Sequence, residues 1–331
     1  MPRTAIAAIG TCIPDRVVTN AELTRLMDTS EEWIVQRTGI RERRWVAEGQ
    51  GNSDLALAAT KQALDRAGWK ATDVEAIVYA TLSTDHMFPG DGCFLNAKLG
   101  LPGVPALDVR NQCSGFIYGL SVADAWIRSG QYRRILLVGS EVHSTGLDVS
   151  TRGRDVAVIF GDGAGAALLE ATDDPARGVL STHLHADGRF ARDLWTDAPG
   201  SFYHPRLQPR MLEDTSIFPK MEGQKVFKHA ITKMPDVVRA ALEKNGLTAA
   251  DLKVLIPHQA NLRISEMVQR SLGLRDDQVF NNIQKYGNTT AASIPVCLEE
   301  AVRERGVERG DLVALAAFGA GFTWASALLR W

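Results

Sequence analysis

The chain carries two copies of one α/β pattern, so any fold that leaves the copies in unrelated surroundings is excluded. Lys61–Ala80 (KQALDRAGWKATDVEAIVYA) aligns without gaps on Arg239–His258 (RAALEKNGLTAADLKVLIPH). Both read as a helix, a glycine stop, an Asp-containing turn and a buried strand. Lys98-Leu-Gly-Leu101 is echoed by Ser271-Leu-Gly-Leu274. A helix that opens at Cys113 and stops at Gly130 is matched by one that follows Asn288 and stops at Gly306. A strand comes next in each half, Ile135–Gly139 and Leu312–Ala317, then a glycine turn and an Ala-Leu-Leu strand, Ala167–Leu169 and Ala327–Leu329.

Short apolar strands alternating with longer helices define an α/β protein with mainly parallel sheets covered by helices, and two such units stack face to face. The pattern breaks at Thr172-Asp-Asp-Pro175, which divides the chain into an N-terminal half, 1–172, and a C-terminal half, 173–331. Ala186–Pro219 is rich in Pro, Arg and aromatic residues and lacks periodicity; it reads as a long functional loop or cap.

The 331 residues hold 37 Lys and Arg against 39 Asp and Glu, a formal charge of −2, with 45% apolar residues. That balance fits a soluble globular protein and excludes a basic nucleic-acid binder or an acidic disordered chain. Cys12, Cys93, Cys113 and Cys297 are far apart with no C-x-x-C pair, which argues against a zinc cluster or secreted disulfides and for a reducing cytoplasm. Two apolar stretches imitate membrane segments. Ala5–Ile13 is broken by Gly10 and Thr11 and followed by a capping box, Thr19-x-x-Glu22, so it reads as a first strand. Leu312–Leu329 is split by Phe318-Gly-Ala-Gly-Phe322 into two strand-length runs, so no membrane partner is expected.

Cys113 lies in Asp108-Val-Arg-Asn-Gln-Cys-Ser-Gly-Phe116, after a short strand and at the start of a helix. The positive end of the helix dipole favours a thiolate there, lowering its pKa from about 8.5 towards about 4–7. An isolated cysteine is otherwise a small buried hydrophobe, the reading that Cys12, Cys93 and Cys297 keep. His258 stands at a strand end in Ile256-Pro-His-Gln-Ala-Asn-Leu-Arg263, and Asn288 precedes a helix in Tyr286-Gly-Asn-Thr-Thr290. Alone, they read as a structural histidine and a helix cap. The repeat changes that. Counted from the glycine stops, Asn288 falls one residue before the position equivalent to Cys113, and His258 at the strand end equivalent to Ala80. Equivalent helix starts can face one another across a pseudo-twofold axis, so a thiol, an imidazole and an amide converge. The expected chemistry is a Cys113 nucleophile, with His258 and Asn288 donating hydrogen bonds to an oxyanion or enolate.

Other motifs carry less. Gly161-Asp-Gly-Ala-Gly165 has the wrong spacing for a dinucleotide fingerprint and reads as a close-packed turn. His183-x-His185 lacks a carboxylate or cysteine to complete a metal site. Arg37, Arg41, Arg43 and Arg44, beside Trp33 and Trp45, read as a solvated face or as a clamp for a phosphate-bearing ligand. Arg263 and Arg270, on one helix face, share that ambiguity.

Glu32-Trp-Ile-Val-Gln-Arg-Thr-Gly-Ile-Arg41, the Cys113 motif, Phe160-Gly-Asp-Gly-Ala-Gly-Ala166, Pro257-His-Gln-Ala-Asn-Leu-Arg263, Gly287-Asn-Thr289 and Phe318-Gly-Ala-Gly-Phe-Thr-Trp324 act together. With them the whole chain resembles the β-ketoacyl-acyl-carrier-protein synthase III family, condensing enzymes of the thiolase fold. The resemblance implies a homodimer of five-layered αβαβα subunits, each with two duplicated βα halves related by a pseudo-twofold. It implies no cofactor and no metal, only a coenzyme A thioester as substrate. An acyl-CoA would acylate Cys113; malonyl-acyl carrier protein would then lose CO₂ and attack the thioester, His258 and Asn288 stabilising the enolate. Backbone N–H groups of Cys113 and Ala320 would form the oxyanion hole. Trp33 and Arg152 would flank the CoA adenine, with Arg37 and Thr38 nearby and Asn261 at the pantetheine. Phe88, offered across the dimer, and Phe318 would shape the acyl pocket. Arg263, with Lys228 and Arg270, would meet the acidic carrier protein.

Three features depart from the family pattern: Ala320 where glycine is frequent, Asn111-Gln112 in place of small residues, and the length of Ala186–Pro219. They leave open a condensing enzyme of a specialised pathway, primed with a medium-chain, branched or aromatic acyl group. An acyl thioester hydrolase is the alternative from another class, because Cys, His and Asn also serve acyl transfer to water.

Overall fold

The computed structural model describes residues 1–331. Five strands form the first sheet: β1 (Arg3–Cys12), β2 (Ala76–Ala80), β3 (Ala106–Val109), β4 (Arg134–Glu141) and β5 (Gly163–Thr172), in the order β1-β5-β4-β2-β3. Four form the second: β6 (Gly178–Ala186), β7 (Val254–Pro257), β8 (Leu312–Gly319) and β9 (Thr323–Arg330), in the order β6-β9-β8-β7. The second order repeats β1-β5-β4-β2 of the first and lacks only a counterpart of the edge strand β3, so the duplication in sequence is a duplication of topology. The chain leaves the first sheet at Thr172 and enters the second at Gly178.

Both sheets are mixed, which corrects the expectation of mainly parallel pairing. β2 pairs in parallel with β3 and β4, and β7 with β8, as strands joined through helices do. β5 runs antiparallel to β1 and β4, and β9 antiparallel to β8 and β6. The connections explain it. β8 turns into β9 within the few residues after Gly319, whereas a parallel partner needs a crossover of about a dozen residues or more.

Three apolar layers separate the elements. Helices α2 (Asn52–Ala67) and α3 (Asp91–Leu99) cover the outer face of the first sheet, with Leu55, Ala59 and Leu95 against Ile77, Leu136 and Leu168. Between the sheets lie α4 (Gly115–Arg128) and α7 (Ser293–Arg305), where Phe116, Leu120, Ile294 and Leu298 meet Val78, Leu137, Val313 and Leu315. Beyond the second sheet, α5 (Gly223–Lys244) and α6 (Leu262–Leu272) contribute Met234, Val238, Ile264 and Val268 over Leu255, Ala314 and Leu328. The result is αβαβα. Strands buried on both faces read as continuous apolar runs, as Ile135–Val138 does. In the two copies α3 and α6 stop at Gly100 and Gly273, whose φ values of 68° and 66° are left-handed and favour glycine. A short helix, α1 (Glu31–Thr38), starts at a Ser30 cap and belongs to a separate apolar cluster over the Val156–Phe160 segment.

Several sequence expectations resolve here. Thr19 caps a helix by accepting the Glu22 N–H, although that helix is a single turn, Asn20–Leu23. Gly161 and Gly165 are close-packed: a Cβ would stand 2.2 Å from the Tyr286 carbonyl oxygen and 2.6 Å from Pro295. Gly163 already begins β5, and Gly161-Asp162 before it is an irregular link rather than a turn. His183 meets Ser181 Oγ and His185 stacks on Trp324. Ala186–Pro219 holds a 3₁₀ turn, a two-residue strand and a one-turn helix, with Met211 buried and Phe202, Leu207 and Leu212 exposed. No helix is long and apolar enough to cross a membrane.

Candidate active site

Cys113 sits in a 3₁₀ turn, Gln112–Ser114, between β3 and α4. Its counterpart in the second half is the 3₁₀ turn Thr290–Ala292 before α7, and Gln112 and Thr290 share a left-handed φ, 44° and 48°. The two turns pack against each other. Cys113 therefore corresponds to Ala291, and Asn288 lies three residues before that position, not one. The register slips by two because α7 is one residue shorter than α4, 13 against 14, and Gly306 follows α7 directly while Ser129 stands between α4 and Gly130, so counting back from the glycine stops misplaces the start.

The last residue of β8, Gly319, makes room for the thiol. A Cβ there would lie 2.5 Å from Cys113 Cβ and 2.7 Å from its Sγ. The backbone N–H groups of Ala320 and of Cys113 itself point at the sulfur. The expected low pKa is not found. Burial pushes the thiol up to about 12, the nearby Glu141 carboxylate adds to the rise, and the two N–H groups only oppose it. Half a helix-end charge does not offset the loss of water around a buried anion. Burial thus favours the protonated thiol over the thiolate in the resting state.

His258 follows β7, and its backbone N–H extends the ladder to the Ala316 carbonyl (2.7 Å). Its Nδ1 lies 2.6 Å from Ser293 Oγ at the start of α7. Ser293 Oγ also accepts the Gln259 N–H at 3.5 Å; with the Ser293 hydroxyl donating to Nδ1, the ring proton stands on Nε2. Nε2 is buried and has no partner. Burial, and then the neighbouring His143, hold the imidazole down to about 3, so it is neutral. Asn288 is buried; its Oδ1 accepts the Thr290 N–H at 2.8 Å, which leaves the amide NH₂ to donate. Its backbone is fixed by the Ile159 carbonyl and the Gly161 N–H. Cys113, His258 and Asn288 are all buried, and the turn that carries Cys113 packs against the turn that follows Asn288. Gly319, Ser293, Thr290, His143 and Glu141 were not singled out from sequence. The repeat register carried a signal for two of them, because Glu141 and Gly319 end the equivalent strands β4 and β8.

The expected coenzyme A contacts divide. Trp33 stacks under the guanidinium of Arg37 (4.5 Å) and also under Arg154 (5.2 Å), not Arg152. Arg152 turns to Asp148 Oδ2 (2.7 Å) and the Glu213 carbonyl. Thr38 is buried, donating to the Ile34 carbonyl and accepting the Ile40 N–H. Arg43 is fully buried, donating to Val18 and Val158 carbonyls and Asn20 Oδ1; it is a strut within the basic run. Asn261 caps α6 and donates to the Arg37 carbonyl (2.8 Å), tying α6 to α1. Phe318 precedes Gly319, the glycine that meets Cys113. It alternates with Gly319 and packs against Phe322 in the outer layer, ring centroids 4.9 Å apart. Phe88 is 80% exposed, beside exposed Met87. Arg263 and Lys228 are exposed on the adjacent helices α6 and α5, Arg263 covering Phe227, while Arg270 faces Glu266.

Two duplicated sheets with a buried cysteine on one half and a histidine and an asparagine on the other define a thiolase-fold, acyl-handling protein. Models of 3-oxoacyl-[acyl-carrier-protein] synthase III match residues 107–188 and, as its C-terminal part, 242–331. A Rhodospirillum centenum protein named beta-ketoacyl-[acyl-carrier-protein] synthase III is 46% identical over 99% of both chains. The crystal structure of 3-oxoacyl-[acyl-carrier-protein] synthase III from Aquifex aeolicus superposes with a TM-score of 0.91, at 39% identity over 99% of this chain and 100% of that one. The priming β-ketosynthase of the R1128 polyketide pathway superposes at 0.89 with 32% identity, covering 99% and 96%. This chain belongs to the 3-oxoacyl-[acyl-carrier-protein] synthase III family.

Proposed function

We propose that this protein starts fatty acid synthesis by condensing an acyl-CoA primer with malonyl-acyl carrier protein. The observation that carries the reading is the buried, unpartnered Nε2 of a neutral His258, a donor aimed where charge develops but no partner yet exists. In the first half-reaction the Cys113 sulfur attacks the thioester carbonyl, the N–H groups of Cys113 and Ala320 hold the oxyanion, and the thiol proton leaves with coenzyme A as its free thiol. In the second, the malonyl thioester loses CO₂. His258 Nε2–H and Asn288 Nδ2–H stabilise the enolate, whose carbon attacks the acyl-cysteine, and the expelled Cys113 sulfur takes up a proton. No strong base is required, and a histidine held down to about 3 is not one.

Trp33, Arg37 and Asn261 lie on one rim where the coenzyme A nucleotide would bind, Arg152 swinging from Asp148 to join Trp33. Arg263 with Lys228, and Arg270 further along α6, suit an acidic carrier protein. Phe88 stands out from the surface as an acyl-pocket residue offered to the second subunit of a homodimer would. All four cysteines are unpaired, which suits a cytoplasmic setting.

Product analysis tests this against hydrolysis. Incubation with acyl-CoAs from acetyl to decanoyl and aromatic, together with malonyl-acyl carrier protein, should yield 3-oxoacyl-carrier protein and CO₂ in equal amounts and show which primer is preferred. Free acid without a new carbon–carbon bond would assign the site to a thioesterase.

A further inference from the structure

One buried titratable side chain beside His258 has no task in this scheme. His143 lies two residues beyond β4, in the N-terminal half. Its backbone N–H donates to Asp162 Oδ1 (2.7 Å), its ring packs on Phe160 at a centroid distance of 4.6 Å, and its Nε2 is 2.6 Å from Thr290 Oγ1. Burial pushes the imidazole down to about 3, so this is a bond between neutral groups.

Thr290 is in the other half. It is β-branched at a φ of 48°, a left-handed conformation that costs a non-glycine residue about 1–3 kcal/mol. Two hydrogen bonds hold it there, its N–H on Asn288 Oδ1 and its hydroxyl on His143. The next N–H, of Ala291, points at the Glu141 carboxylate. The end of β4 thus grips the Thr290–Ala292 turn at two points, and the turn grips the amide oxygen of Asn288.

From this juxtaposition we infer that His143 is a positioning residue for the condensation half-reaction: through Thr290 it fixes which way the Asn288 amide faces. An amide can rotate end for end at little steric cost, and the wrong end would set an oxygen lone pair against the enolate. The Thr290 N–H holds Oδ1 and leaves Nδ2–H for the substrate. The inference rests on Asn288 being an enolate donor. The Thr290–Ala292 turn also packs on the Cys113 turn, but the donors to the Cys113 sulfur are the N–H groups of Cys113 and Ala320, not the Asn288 amide, so acylation does not depend on which way that amide faces.

The test follows the two half-reactions separately in the full-length protein, with acetyl-CoA acylation read by intact mass and single-turnover condensation of the acylated enzyme with malonyl-acyl carrier protein. His143→Phe keeps the ring against Phe160 and removes the bond to Thr290; it should acylate at the parental rate and condense about 10- to 100-fold more slowly, up to the loss that a misplacement of about 1 Å brings. His143→Gln, which returns a polar group near the Nε2 position, should recover most of the rate. Undiminished condensation in His143→Phe, or equal slowing of both steps, overturns the inference. If His143→Phe does not fold, Thr290→Gly, which lacks the hydroxyl and accepts the left-handed φ, is held to the same two outcomes. Asn288→Ala separates the two levels: condensation at the parental rate there refutes the donor role of Asn288. Loss in Asn288→Ala with none in His143→Phe refutes the positioning role alone.

Discussion

At Gly319 the difference between a hydrogen and a methyl decides whether Cys113 can keep its sulfur under the backbone donors. With Cβ 2.5 Å from Cys113 Cβ, alanine there forces the strand or the thiol to move. We expect Gly319→Ala to cost about 1–3 kcal/mol in denaturant unfolding and to slow acylation by about 10²-fold, as loss of an oxyanion donor does. Ala320→Gly, which keeps the N–H and removes a half-exposed methyl, should acylate at the parental rate. An unimpaired Gly319→Ala would mean that the thiol reacts from elsewhere. Cys113, His258 and Asn288 could be singled out in the sequence because each falls at a break in an apolar run; the repeat register, two residues off at Asn288, was the weaker guide. Their supports could not. Ser293, Thr290 and His143 act through partners up to 147 positions away in the chain, and no local pattern records a contact of that kind. The low thiol pKa expected from the helix start failed for a related reason, since burial is set by the whole fold.

At the level of elements, α6 is the piece that joins the site to the surface. Its cap, Asn261, holds α1 through the Arg37 carbonyl, while its exposed face presents Arg263 next to Lys228 on α5. Arg263→Glu should raise KM for malonyl-acyl carrier protein about tenfold, reversing one rim charge, and leave acylation by acyl-CoA unchanged. Equal effects on both substrates would remove α6 from carrier recognition. Element boundaries were largely readable: strands at Leu312 and Thr323 begin where the glycine turn and apolar runs place them. Strand direction was not, because apolar runs are the same in either sense and only the connection lengths separate them. The slip at Asn288 has a similar origin, since a shortened α7 that ends directly at its glycine stop is invisible until both ends of the helix are known.

The whole molecule buries charge as well as apolar surface, and this sets its pH response. Asp91 is fully buried at the start of α3, with Oδ2 unpartnered, and burial together with Asp85 and Asp108 raises its carboxyl to about 7 from 3.8. The folded protein therefore holds this proton between about pH 4 and 7 while the unfolded chain has lost it, so this group's contribution to stability falls as pH rises through that window and is flat above it. His143 and His258, depressed to about 3 from 6.5, act oppositely: their contribution is present above 6.5 and is lost as pH falls towards 3. Asp91→Asn should match the parent in urea unfolding near pH 4 and exceed it by on the order of 2 kcal/mol at pH 8. A constant difference across that range would show that Asp91 does not carry the raised pKa.

The convergence of Cys113, His258 and Asn288 is tested most directly by mapping where the primer rests and whether it moves on. After exposure to acyl-CoA, the mass of one acyl group should appear on the peptide that contains Cys113, be absent from Cys113→Ala, and vanish on addition of malonyl-acyl carrier protein as 3-oxoacyl-carrier protein forms. Acyl mass retained in Cys113→Ala, or a loaded Cys113 that malonyl-carrier protein cannot discharge, would contradict the account.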